Sequence, residues 1–428
     1  MAHGPRPCNP CTPSAGSGKR RASAIWIAAT GQFLTLLGFV IIMPLGPEIA
    51  ADIGLSPSKI GYANSAYALA GALSGLYASN IVDRFGRRSA YALALCGLGL
   101  GTLLLCFAGS METLLLGRML AGACGGPATT LGLAIAADLT PAERRSSALS
   151  AIMGVSPLIS IAGVPFALEL SSLAGWRVPF AFTGAAALLT ALTARLLLPP
   201  LRGHIRAGEM DGPPLLRHWR RPAMRAMALA VFLCAFSFNM LTASNPVILL
   251  LNLHFPRSSL GLFYLLAGLT SLSALRLAAR AADRHGDRTP MLIGSALFVL
   301  GAFSFYVIEV PLPVGALSMP VMLTGVAVVN VAMWSSAMQL PDASDRAGYG
   351  AILGALQNLA CAIGAGGASR ILVDLPGPRL GNTSVIGVIS ICGLLLAVLV
   401  ASRGLAGQNT TGHHQSGPLM GPREEELT

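Results

Sequence analysis

The chain has 428 residues, 54% of them hydrophobic and only 11% charged, with a formal net charge of +11. Soluble domains carry roughly 25% charged residues, so this chain cannot coat a water-facing surface of its size, and lipid is the surrounding that fits. The basic residues fall in short bursts between long apolar runs rather than in one stripe, which argues against a nucleic-acid partner and for control of membrane topology.

Residues 1–22 are polar and rich in Gly and Pro, and too poor in apolar residues to fold alone. They are expected to form a disordered tail. The first apolar run follows Lys19-Arg20-Arg21 and is too long for the core of a cleaved signal peptide, so it reads as a retained membrane helix. A span needs about 20 mostly apolar residues. On that criterion twelve spans are predicted: 24–47, 59–80, 89–108, 113–137, 147–168, 178–197, 226–250, 259–279, 290–308, 314–338, 348–372 and 383–402. The split between the ninth and tenth rests on Glu309 and the turn Pro311-Leu312-Pro313. The longest internal polar stretch, 198–225, separates a six-helix bundle at 23–197 from another at 226–402, and 403–428 reads as a second disordered tail.

If the N-terminus is cytoplasmic, the outside segments hold only Lys59, Arg177, Arg257 and Arg379. Arg118 and Arg370 fall within spans, and every other Lys or Arg lies inside. That bias predicts both termini in the cytoplasm, and a shift of one helix in the count would scramble it.

The two halves repeat. Asp83-Arg84-Phe85-Gly86-Arg87-Arg88 follows the second span, and Asp283-Arg284-His285-Gly286-Asp287-Arg288 follows the eighth, an offset of 200 residues. Pro141-Ala142-Glu143-Arg144-Arg145 and Pro341-Asp342-Ala343-Ser344-Asp345-Arg346 follow the fourth and tenth spans at the same offset. Parallel repeats of this kind are a habit of transporter folds.

Ser79-Asn80-Ile81-Val82-Asp83-Arg84-Phe85-Gly86-Arg87-Arg88 resembles the signature between helices 2 and 3 of major facilitator transporters, with Ser79 where that family prefers Gly. The resemblance implies an all-α membrane fold of two pseudo-symmetric six-helix bundles. It also implies a cytoplasmic latch. In that latch Gly86 makes a tight turn, Asp83 faces the N-terminus of helix 11, and Arg84, Arg87 and Arg88 pair with carboxylates such as Asp138 and Glu143. Asp283, Arg284 and Gly286 are its counterparts in the second half. Leu116-Gly117-Arg118-Met119-Leu120-Ala121-Gly122 resembles the helix 4 motif of the family, with Ala121 where Gln is usual. Gly163-Val164-Pro165, Gly175-Trp176-Arg177-Val178-Pro179-Phe180 and Pro44-Leu45-Gly46-Pro47-Glu48 are similar to the proton-linked drug and sugar exporters of that family. This likeness implies export, proton exchange, a monomer without cofactor, and a multi-pass place in a bacterial cell membrane.

An intramembrane Arg should face a polar cavity or a partner, so Arg118 is a candidate for substrate or coupling. Gln32, Asn239, Asn330, Trp334 and Gln357 are candidates to line a cavity, with Asn64, Asn245 and Asn358 as further polar groups in the spans. No Asp or Glu lies near the middle of any span; Glu48, Asp138, Glu169, Glu309 and Asp374 sit at or beyond helix ends. A cation would lack a counter-charge, so a neutral or anionic substrate fits better. Proton coupling, if present, falls to Glu48, Asp138 or Asp83.

The alternatives are uptake or facilitated diffusion of a small organic anion or a metal (iron-type) complex, and a non-transporting sensor or assembly protein on the same fold. No nucleophile–base pair or phosphate loop suggests an enzyme. Six cysteines lie in apolar spans and behave as small hydrophobes. The tail residues His3, Cys8, Cys11, His413 and His414 have no regular metal-ligand spacing, and no metal site is expected.

Overall fold

The computed structural model describes residues 15–82, 86–140, 152, 154–199, 221–308, 310–342, 345–377 and 379–412. Asp83, Arg84, Glu143, Arg144, Arg145, Glu309 and most of the 198–225 linker lie outside the described residues, as do the Cys and His residues of both tails.

The first half contains α1 (Ala15–Val40), α2 (Gly46–Asp52), α3 (Gly61–Val82), α4 (Arg87–Leu104), α5 (Met111–Leu139), α6 (Val164–Ala174) and α7 (Arg177–Leu197). A π-turn at Ile159–Gly163 leads into α6. The second half contains α8 (Pro222–Thr242), α9 (Asn245–Leu251), α10 (Leu260–His285), α11 (Arg288–Ala302), α12 (Leu312–Gln339), α13 (Arg346–Ile371) and α14 (Thr383–Gly412). Among the described residues, 11 helical stretches have the length and apolarity to cross a membrane. The 22-residue α3 fills the place of the predicted second span. The helix α1 begins at Ala15 and α14 runs to Gly412, so helix extends into both segments read from sequence as tails.

The first span of each half is broken near the same end. The chain turns between α1 and α2 at 41–45 and between α8 and α9 at 243–244. Pro47 and Pro246 lack the N–H that would continue the ladder, and each sits in the first turn of the shorter helix. This end is called distal below, and the end carrying the start of α1 proximal. Between α13 and α14 the distal end also carries a small antiparallel hairpin, β1 (Val373–Leu375) with β2 (Arg379–Gly381), pairing Asp374 with Leu380.

Within each half the helices approach through small residues. Gly122 of α5 lies against the Tyr67 backbone of α3, where a Cβ would overlap the carbonyl oxygen. Backbone cannot yield as a side chain can, so Gly122→Val is expected to separate α3 from α5. The measurement is the monodisperse folded fraction in mild detergent, which should fall severalfold; an unchanged fraction would refute this packing.

Two seams join the halves. On one, α3 runs along α13: Gly61 lies against Ser369 and Ala365, the Ser65 hydroxyl donates to the Ala362 carbonyl (2.7 Å), and Gly71 faces Asn358. On the other, Gly261 of α10 meets Pro165, and Gly268 meets Ser160 and Ile161. These contacts belong to the distal and middle levels. One turn further toward the proximal end, a Cβ on Gly75 or Gly354 would meet no atom within 4 Å. The α3–α13 seam is therefore tight distally and looser at Gly75 and Gly354.

Candidate functional site

Three groups of polar residues stand out, at the proximal end, near the middle and at the distal end.

At the proximal end, Arg87 pairs with Asp138, joining the start of α4 to the end of α5. Arg88 donates to the Leu198 carbonyl at 3.2 Å. Both contacts stay inside the first half. Gly86 has φ −58°, a value open to any residue. The expected need for glycine at that turn is not met there; it is met at Gly286, whose φ is +77°. Asp83 and Arg84 lie outside the described residues, and so does the Asp283 side chain, while Arg284 is exposed at the end of α10. In the second half Asp287 takes the place of Arg87 and accepts from Ser335, Ser336 and Gln339 of α12 at 3.1, 3.2 and 2.9 Å. The same α12-to-α11 tie is made without a basic residue.

Seven residues into α5 from its distal end, Arg118 is only 1% exposed. Its guanidinium donates to the carbonyls of Gly38 (2.6 Å), Phe39 (3.3 Å) and Ala63 (3.2 Å) and to Asn64 Oδ1 (3.2 Å). It also stacks over the Tyr67 ring, 4.5 Å from the centroid. Gly38 and Phe39 belong to the last turn of α1, where carbonyls have no helical partner. The planar five-donor fork suits several fixed carbonyls at once. Arg118 thus braces the break between α1 and α2 and ties it to α3. The second half has Ser318 at the repeat position, and its brace comes from another helix. Tyr306, in the π-turn Phe303–Val307 after α11, places its hydroxyl 2.7 Å from the Leu241 carbonyl and against Asn245 Oδ1.

The remaining candidates sit as follows. The Trp334 indole donates to Gln357 Oε1 at 3.1 Å, joining α12 to α13. Asn330, one turn before Trp334, is half-buried. Asn239 is turned onto its own helix, donating to the Ala235 carbonyl. Gln32 of α1 has a buried Oε1 without a hydrogen-bond partner. Such an orphan inside a span invites a ligand or water.

At the distal end, two ties cross between the halves. Glu48 of α2 pairs with Arg257, which precedes α10, and accepts from the Ser171 hydroxyl of α6 at 2.8 Å. On the other seam the Asp374 carboxylate of the hairpin accepts from the Ser56 and Ser58 hydroxyls and from the Ser58 N–H at 3.3 Å. Burial pushes the Asp374 carboxyl up, but these donors and nearby Lys59 outweigh it and hold the group below the usual carboxylate range. A lowered pKa means that this tie is intact at neutral pH and is lost only as pH falls through that lowered value. Sequence reading singled out Glu48 but missed Arg257, Ser171, Ser56, Ser58 and Asp374 as partners. The signal was the pair of isolated opposite charges at distal helix ends.

Helices long and apolar enough to span a bilayer, two repeats meeting at seams of small residues, and broken helices braced from within define a multi-pass membrane transporter rather than an enzyme. A family model described as the Major Facilitator Superfamily matches residues 28–365, and the chain belongs to that family. A relative named "Probable multidrug-efflux transporter" from Mycobacterium tuberculosis is 32% identical over 222 residues, 50% of this chain and 44% of that protein. That match therefore spans less than half of the relative's length. The "Chloramphenicol resistance protein" of Streptomyces lividans is 26% identical over 293 residues, 65% of this chain and 69% of that one. Among solved structures, the xylose transporter of E. coli in a partially occluded inward-open conformation matches with TM-score 0.68 at 18% identity. It covers 90% of this chain and 98% of its own. A bacterial homolog of the human lysosomal transporter Spinster, inward-facing and occupied, matches with TM-score 0.70 at 15% identity, covering 93% and 99%. At these identities the structural matches speak for the fold.

Proposed function

We propose that this protein exports an uncharged small molecule across a bacterial cell membrane by alternating access. The observation that carries the reading is the asymmetry of the α3–α13 seam, tied across at the distal end and looser at Gly75 and Gly354. The arginine bias supports a distal end outside and both termini in the cytoplasm, which makes this an inward-facing state. The moving units are 23–197 and 226–402, joined by 198–225, and a monomer suffices. Asp83, Arg84, Gly86, Arg87, Arg88 and Asp138, with Asp283, Arg284 and Gly286, hold the cytoplasmic side shut in the opposite state.

Two features favour an uncharged substrate. No carboxylate stands at mid-span to meet a cation. The deep positive charge, Arg118, spends its donors on four acceptors of its own half, which disfavours the organic-anion alternative. Gln32, Asn239, Asn330 and Gln357 then supply neutral hydrogen bonds to the substrate, with Trp334 orienting the Gln357 amide. The names of the efflux relatives support the outward direction. Proton exchange, if it occurs, uses groups at the helix ends, with Glu48 foremost.

The test is flux into proteoliposomes with and without a pH gradient. Chloramphenicol, an uncharged probe suggested by a relative's name, is expected to move by a saturable route that Asp83→Asn stalls. Ethidium, a cation, should not compete. Saturable ethidium transport would overturn the uncharged class, full flux in Asp83→Asn would overturn the latch, and absence of saturable flux in the wild type would favour a scaffold that does not transport.

A further inference from the structure

We infer that the proximal half of α10 is a binding site for the headgroup of an anionic phospholipid, centred on Arg276 and Arg280, which the cytoplasmic latch does not use. Along α10, Leu262, Leu266, Leu269, Ser273, Arg276, Arg280 and Arg284 recur at steps of three or four and are all exposed, so they form one stripe. The helix buries a different face, through Leu260, Phe263, Tyr264 and Ala267. It meets the first half through Gly261 and Gly268. At the distal level the seams are closed, so the exposed leucines of the stripe face acyl chains. The arginines continue that same face toward the proximal end.

None of the three arginines pairs with a described carboxylate. Arg276 lies well inside the helix, about 14 Å from its end at His285 for a rise of 1.5 Å per residue. Side chains of a helix lean toward its N-terminus, which for α10 is the distal end. Arg276 therefore leans away from the nearer interface, and snorkelling to water is hindered. An intramembrane guanidinium needs a counter-charge, and on a lipid-facing stripe a phosphodiester can bring one. The fold itself does not ask for these residues. At the 200-residue repeat offset, Arg276 corresponds to Leu76 and Arg280 to Asn80. The leucines above the ladder give the acyl chains of the same lipid an apolar track. Bidentate guanidinium contacts with phosphate oxygens suit the head.

The test is native mass spectrometry of the purified full-length protein with phosphatidylglycerol or phosphatidylcholine, alongside thermal unfolding with each lipid. The wild type is expected to prefer phosphatidylglycerol at least about tenfold, since each basic group near an anionic lipid surface contributes appreciably. Arg276→Gln/Arg280→Gln/Arg284→Gln should lose that preference. Arg225→Gln/Arg403→Gln, which removes two other exposed proximal arginines, should keep it. If the triple variant does not fold, Arg276→Gln alone should reduce the preference severalfold. Equal loss in the control would mean diffuse charge and overturn the site. So would a wild type without lipid preference, or one stabilised equally by inorganic phosphate.

Discussion

Arg118→Ala is expected to abolish transport and sharply reduce the folded yield. It strands three acceptors, the carbonyls of Gly38 and Phe39 at the end of α1 and Asn64 Oδ1, in a place where the replaced side chain is 1% exposed, while the Ala63 carbonyl keeps its bond within α3. Each stranded acceptor costs about 1–3 kcal/mol, and together they are large beside the roughly 5–15 kcal/mol by which folded proteins are stable. Arg118→Lys separates the brace from a substrate-binding charge. A lysine keeps the charge but loses the planar fork that meets several fixed carbonyls. If Arg118 is a brace, Lys recovers little of the thermal stability or flux. Recovery of full transport and stability by Lys would instead mark Arg118 as a point charge for an anion.

The second large effect is expected at the distal tie. Glu48→Arg sets two positive charges against each other across the seam and removes the acceptor for Ser171. That change disfavours the closed distal end and shifts the population away from the inward-facing state. Flux in proteoliposomes should fall at least about tenfold. The reversal Glu48→Arg/Arg257→Glu should recover most of the loss, a coupling of about 1.4 kcal/mol, within the range measured for residues in contact. Equal loss in the single and double variants would mean that Glu48 acts through something other than Arg257, such as a proton.

Much of this architecture is legible in the sequence because lipid imposes simple demands. Apolar runs of about 20 residues and arginines at one side identify spans without any pairing information. The repeat at 200 residues exposes the two halves. The breaks at 41–45 and 243–244 are harder to see, because hydropathy does not register a turn inside an apolar run. Pro44, Gly46 and Pro47, and Ser244-Asn245-Pro246, were the available signals. Arg118 could be named from its depth, but its partners are mostly backbone carbonyls, which no residue type announces. Glu48 with Arg257 and Ser58 with Asp374 are separated by hundreds of residues, and without a fold nothing links them. Strands of three residues around Pro376 and Gly377 fall below the length at which alternation can be recognised.

The proposed alternating access is tested most directly by locking the distal seam. A Cβ built on Gly366 lies 3.5 Å from the Ser65 Cβ, within the spacing a disulfide requires. In a background without the native cysteines, Ser65→Cys/Gly366→Cys reconstituted in proteoliposomes should exchange substrate when reduced. It should stop when oxidised and resume with a thiol reductant. Undiminished flux with the crosslink complete would contradict the account, because the distal seam would then not need to open.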